Sequence, residues 1–226
     1  MNKEEIYKKL LQLAGSGGSV RMDAPMKEYT TFRVGGPADV LVEPSDAESL
    51  STIVSALKEN GIPYYILGNG SNVLVKDKGF RGVIVRIGRA MSAVSVMGDT
   101  VEAGAGALLS AAAREAAEHS LTGLEFASGI PGSVGGAVFM NAGAYGSEMK
   151  NIVRSVRFYD IDTDTVCEIP AADCGFGYRT SVFAHKNGVI LGASLSLAAC
   201  ESGKALAEAK EFMERRREKQ PLEYPS

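Results

Sequence analysis

A chain of 226 residues, 45% hydrophobic and 23% charged, is long enough to bury a substantial core in one large domain or two modest ones. Its formal net charge of −3 gives no general attraction to nucleic acid or to an anionic membrane, so an anionic ligand must be held by local cations. Cys167, Cys174 and Cys200 are odd in number and, with only His119 and His185 beside them, match no metal-ligand spacing, which argues against a zinc site and suits a reducing compartment.

The N-terminal stretch MNKEEIYKKLLQLAG is amphipathic and partly acidic, without the continuous apolar run of a signal peptide. No segment is long enough to span a bilayer, and the protein is expected in the cytosol. The spacing of Ile6, Leu10 and Leu13 predicts a helix over 3–13, broken by AGSGGS. A strand at 38–42 precedes PSDAESLSTIVSALKENG, the clearest helix: Ser45 and Glu48 form a capping-box pattern, Leu50, Ile53, Val54 and Leu57 a stripe, and Gly61 the end. YYIL and VIVRI add β-rich runs, so the first third reads as a small βαβ-containing lobe.

Gly98-Asp99 predicts a turn between the strands AVSVM and TVEAG, ahead of an alanine-rich helix at 107–119. Strands follow at 152–159, 165–169 and 189–197, then a closing helix at 203–219 with Leu206, Ala209, Phe212 and Met213 on one side. The sum is an α+β chain of two lobes meeting near residue 90, without internal repeats.

Two glycine-rich segments carry chemistry. In LGNGSNVLV, Gly68 and Gly70 let the backbone bend and approach a ligand, and the N–H groups of 68–72 with the Ser71 hydroxyl and Asn72 amide could nest a pyrophosphate. The same residues would also serve a plain β-turn. The second, GLEFASGIPGSVGGAVFMNAGAYGSE, loses much chain entropy on ordering, and a close backbone contact to a flat aromatic cofactor is one compensation. The alternative is a flexible linker, against which Ile130, Val134, Val138, Phe139 and Met140 argue for burial.

GAGALL begins like a dinucleotide fingerprint, but Leu109 replaces the final glycine, and we read it as a strand-to-helix turn. In CGFGYRTSVF, Arg179 offers a planar cation beside Thr180 and Ser181, suited to a carboxylate or a developing enolate, although a loop arginine is more commonly a surface residue. Arg215, Arg216, Arg217 and Lys219 suit either the helix C-terminal dipole or a phosphate-bearing ligand.

Together YTTFRVGGPAD, LGNGSNVLV, GLEFASGIPGSVGGAVFMNAGAYGSE, GYRTSVF and RRREKQPLEYPS closely resemble the MurB family of UDP-N-acetylenolpyruvoylglucosamine reductases, over 29–226. The KQPLEYPS ending resembles the subgroup without the extra tyrosine loop. The resemblance implies a two-lobed FAD-binding fold of the vanillyl-alcohol-oxidase (PCMH) type with noncovalent FAD, in keeping with the lack of histidine in either glycine-rich loop. It implies NADPH as reductant and hydride delivery to C3 of the enolpyruvyl group of a UDP-sugar in peptidoglycan synthesis.

On that resemblance Gly68, Asn69, Gly70, Ser71 and Asn72, preceded by Leu67, hold the FAD pyrophosphate. Ser128, Gly129, Ile130, Pro131, Gly132, Ser133 and Gly136 line the isoalloxazine and the rest of the cofactor. Asn141, Ala142, Gly143, Ala144 and Tyr145 join them. Arg179 matches the catalytic arginine, Tyr178 shapes the pocket, and Arg216 and Lys219 lie near the UDP-sugar diphosphate.

The implied organisation is an N-terminal helix at 1–18, FAD-binding lobes at 19–90 and 91–200, and at 201–226 a helix leading toward a substrate-binding domain that the chain lacks. Ser226 does not match the family's proton-donating serine, and Leu222 and Tyr224 are expected to leave an apolar tail exposed. The chain is thus expected to be the FAD-binding part of such a reductase. Two other readings are a different flavin oxidase or dehydrogenase of the same fold and a noncatalytic flavin-binding module.

Overall fold

The computed structural model describes residues 1–221 and 223–225; Leu222 and Ser226, named in the sequence reading of the tail, lie outside them. The chain divides into two compact units, Met1–Met91 with Pro225, and Ser92–Tyr224. The helices at the two ends, read from sequence as segments of their own, fall within these units.

In the first unit, α1 (Lys3–Leu13) starts from a capping box in which the Asn2 side chain accepts from the Glu5 amide and Glu5 accepts from the Asn2 amide. Next come β1 (Ser19–Pro25), β2 (Pro37–Glu43), α2 (Ala47–Glu59), β3 (Tyr64–Leu67) and β4 (Phe80–Arg86). The sheet order is β1-β2-β4-β3, with β1 antiparallel to β2 and the other pairs parallel. Val40, Leu41 and Val42 are buried in succession, as expected of a strand covered on both faces. The predicted stripe of α2 is the buried one. Its cap differs by one position: Asp46 is the N-cap and Ser49 closes the box, while Ser45 donates to the Asp46 carboxylate. The Ser49 amide, first among the causes, holds that carboxyl below its usual range.

A parallel connection from β3 to β4 must return along the sheet, and here it does so without a helix, over residues 68–79. Its order comes from residues 29–37, which run alongside it in the same direction: the Thr31 amide donates to the Gly70 carbonyl at 3.2 Å and the Gly36 amide to that of Lys76 at 3.0 Å. The two backbones touch so closely that a Cβ on Gly79 would stand 1.8 Å from the Pro37 oxygen. Val73 and Val75 then pack on the cluster formed by Ala24, Met26, Ala38, Leu41, Leu67 and Ile84.

The second unit opens with the hairpin β5 (Val94–Met97) and β6 (Thr100–Gly104), turning at Gly98-Asp99. It continues through α3 (Leu109–Glu118), β7 (Leu121–Thr122), α4 (Val134–Phe139), β8 (Gly143–Ala144), β9 (Ser147–Glu148), β10 (Val153–Asp160), β11 (Thr165–Pro170), β12 (Gly188–Ser196), β13 (Ala198–Ala199) and α5 (Lys204–Lys219). The main sheet is antiparallel, in the order β11-β10-β12-β6-β5. α3 begins two residues later than its alanine run suggests and buries Ala112, Ala113, Ala116 and Ala117, small side chains that let neighbours approach. GAGALL is a turn, the Ala107 amide donating to Gly104 at 2.9 Å, and it leads directly into α3. α4 sits tight on this turn, because the Gly135 amide donates to Ala105 and a Cβ on Gly135 would meet that of Ala105 at 2.9 Å.

Candidate functional site

In the first unit, Leu67 ends β3 buried, and Gly68–Asn72 leaves from the carboxyl end of a parallel strand, where open sheets place their ligands. Ser71 is half-buried and Asn72 exposed. Gly70 has φ +67°, and a Cβ there would stand 2.0 Å from the Tyr29 oxygen, so the protein's own backbone already demands glycine. The sequence reading assigned that demand to a ligand.

Thr31 enters the site from the facing segment. Its amide holds the Gly70 carbonyl, while its hydroxyl is sealed from solvent with no hydrogen-bond partner. Thr31 lies in YTTFRVGGPAD, one of the stretches that carry the resemblance, but the sequence reading gave it no role, since only the fold brings it to the loop.

In the second unit the glycine-rich stretch folds into two loops separated by α4. Ser128 donates to the Glu125 carbonyl at 2.7 Å, the Ile130 amide to Ala127 at 3.0 Å, and the Gly132 carbonyl accepts from Leu109 at 2.9 Å. Ser133 caps α4, accepting from Gly136, which is exposed and has room around its Cβ position. Pro131 is also exposed.

Asn141 is 1% exposed and sits at φ +44°, a conformation its short polar side chain tolerates. Its amide donates to Glu148 at 2.8 Å and to the Gly177 carbonyl at 2.9 Å, and its oxygen accepts from the Lys150 amide at 2.9 Å. Those bonds fasten the loop to the protein. Ala142 pairs its amide with Ala137, and Gly143 and Ala144 form a short ladder with Glu148 and Ser147. Tyr145 follows at φ +53°.

The arginine loop is brought directly to these residues. The Gly177 amide donates to Thr180 at 3.0 Å, closing a turn whose tip carries Tyr178, 90% exposed, and Arg179 at φ +55°. Arg179 Nη2 donates to the Gly143 carbonyl at 3.4 Å, and Ser181 anchors the other side by donating to Phe139 at 2.7 Å. The result is an exposed guanidinium beside the 141–145 loop, with hydroxyls of Thr180 and Ser181 in the same turn.

α5 also reaches this region. Arg216 lies over Gly129, whose Cβ position is 3.2 Å from Arg216 Cδ, and its Nε donates to Gln220. Lys219 is exposed at the helix end, and Arg215 pairs with Glu211. Leu206, predicted on the apolar side, is exposed, whereas Ala205 is the buried one.

Residues 38–169 match the FAD binding domain family, a span that takes in both the 67–72 and the 128–145 loops. A UDP-N-acetylenolpyruvoylglucosamine reductase of Clostridium beijerinckii is 42% identical over 97% of this chain and 72% of its own length. One from Clostridioides difficile is 42% identical over the whole chain and 74% of its own length. The chain belongs to the UDP-N-acetylenolpyruvoylglucosamine reductase family. A crystal structure of a family member, MurB from Thermus caldophilus, superposes with a TM-score of 0.73 at 32% identity, covering 90% of this chain and 70% of that one. Alkyldihydroxyacetonephosphate synthase, 15% identical with a TM-score of 0.56 over 74% of this chain, shares the fold. The chain is thus a two-lobed α+β FAD-binding fold of the PCMH type within an oxidoreductase family.

The residues present fit FAD. Thr31 supplies a buried hydroxyl still lacking a partner beside the first loop, and Gly136 leaves an open backbone position in the second. Among the described residues no group of three His, Cys, Asp or Glu could hold a metal ion, and no helix is long and apolar enough to cross a membrane.

Proposed function

We propose that this chain takes part in the FAD-dependent, NADPH-using reduction of the enolpyruvyl group of UDP-N-acetylglucosamine enolpyruvate to UDP-N-acetylmuramate, in the cytoplasm and for peptidoglycan synthesis. What supports the reading is the match over the whole of this chain and 74% of the length of a reductase so named, together with an arginine loop fastened to the glycine-rich loop through Asn141. The free state of Cys167, Cys174 and Cys200 suits a reducing compartment.

Noncovalently bound FAD supplies hydride transfer between NADPH and the sugar. The chain's own residues bind and orient. Gly68–Asn72 and Thr31 take the pyrophosphate end, and Ser128–Gly136 with 141–145 take the ring system. Arg179, presented on a turn closed at both sides, stabilises negative charge developing on the enolpyruvyl carboxylate, with Tyr178 walling the pocket. Arg216 and Lys219 balance the diphosphate of the UDP-sugar.

The test is anaerobic NADPH oxidation by FAD-loaded protein, with and without the enolpyruvyl UDP-sugar. Oxidation that passes one flavin equivalent only when the sugar is present supports the reading. Flavin that binds and is reduced without passing electrons to the sugar assigns this chain the FAD-binding share of the reaction, whereas folded protein that binds no FAD would overturn the reading.

A further inference from the structure

α5 lies outside the residues matched by the FAD binding domain family, yet it is fastened to both loops of the second glycine-rich stretch. Ala209, Phe212, Met213 and Arg216 follow the i, i+3, i+4, i+7 spacing of one helix face. The Ala209 carbonyl lies 3.4 Å from Ser128 Oγ, and Met213 and Arg216 close over Gly129 at 3.3 and 3.2 Å from its Cβ position. Phe212 makes the most directed contact: its ring stacks on Tyr145 with centroids 4.4 Å apart and planes 4° from parallel, and its carbonyl accepts from the Tyr145 hydroxyl at 2.9 Å.

That second bond fixes Tyr145 in the plane where stacking alone would let it slide, at a residue held in the left-handed region. The Asn141 bonds fasten the start of the loop, and its Tyr145 end needs outside support. A Cβ on the following Gly146 would meet nothing, so the tip of the loop has little packing of its own. Ala205 is the only fully buried side chain among the described residues of the helix, so its face toward the loops is not a core anchor.

We propose that Phe212 is a positioning residue for the flavin: through Tyr145 it holds the 141–145 loop in the conformation that sets the cofactor's environment. This deepens the FAD reading of that loop and rests on it.

The experiment compares FAD-loaded wild type with Phe212→Ala, Phe212→Leu, Phe212→Tyr and Leu206→Ala, the last altering an exposed position of the same helix. The readouts are the flavin absorption envelope, flavin fluorescence, the midpoint potential and the FAD Kd. Loss of the stacked ring in the Ala and Leu variants is expected to weaken FAD binding about three- to tenfold and to shift the flavin spectrum and potential. Phe212→Tyr, which keeps the ring, and Leu206→Ala should match wild type. Phe212→Leu keeps apolar bulk and preserves the test should Phe212→Ala fail to fold. Ala and Leu variants with lowered melting temperature but unchanged spectrum, potential and Kd would overturn the proposal. Wild type that binds no FAD would instead overturn the cofactor reading.

Discussion

Asn141 Nδ2 donates to the Gly177 carbonyl at 2.9 Å, so the loop predicted to line the flavin and the turn carrying Arg179 share one side chain. Geometry at the arginine is therefore inherited from the glycine-rich loop.

Replacing Asn141 by alanine removes three hydrogen bonds, leaves the Lys150 amide without its acceptor and the Gly177 carbonyl with only the Thr180 amide at 3.4 Å, and keeps φ +44° without the polar side chain that tolerates it. Urea unfolding should show a loss of about 2–4 kcal/mol. Asn141→Gly relieves only the backbone part and should recover about 1 kcal/mol. A full recovery by glycine would show that the side-chain bonds carry no net stability.

Within an intact reductase, Arg179→Lys keeps the charge but loses the planar fork, and should lower NADPH-dependent turnover about 10²-fold while leaving the FAD Kd within about twofold. Parallel titrations of flavin fluorescence and steady-state rates separate the two. Equal damage to both would assign Arg179 to cofactor binding.

Thr31→Val removes a buried hydroxyl that has no hydrogen-bond partner among the described residues. Without FAD the variant should be as stable as wild type, or more stable by about 1 kcal/mol. With FAD the order should reverse, visible as a smaller ligand-induced rise in melting temperature. An unchanged rise would remove Thr31 from the site.

Burial, first among the causes, pushes the Cys174 thiol from 9.0 up to about 11. The unfolded chain then ionises at lower pH than the folded one, so this group leaves stability untouched below pH 9 and lowers it as pH rises from 9 to about 11. Cys174→Ser should flatten that part of the stability profile. At pH 8 a maleimide should label exposed Cys167 and spare Cys174 until the chain unfolds.

Periodicity made α2 and the strands of the second sheet legible, since Leu50, Ile53, Val54 and Leu57 repeat at helical spacing and are buried. β1 was missed although Val20, Met22 and Ala24 alternate with exposed Ser19, Arg21 and Asp23 at strand spacing, because the run is short and lies between the glycine-rich AGSGGS and Pro25. The α2 cap slipped by one because Ser45 and Asp46 are both competent N-caps and only backbone geometry chooses. Within the site, motif positions were readable, but the reason for each residue was not. Gly70 answers to Tyr29 and Asn141 to Gly177, partners distant in sequence. Phe212 was masked by the basic residues following it, which drew attention to charge.

The helix-free return from β3 to β4 sets where this polypeptide can change length. Because 68–79 and 29–37 are laid side by side with no space for even a methyl group at Gly36 or Gly79, an added residue in either would throw the other out of step. The tight turn at Gly98, where a β-carbon would touch nothing, carries no such constraint. Natural insertions, engineered tags and protease nicks should therefore collect at the Gly98 turn and avoid the first unit's crossover, leaving the 68–79 connection with a fixed length even where the surrounding sequence drifts.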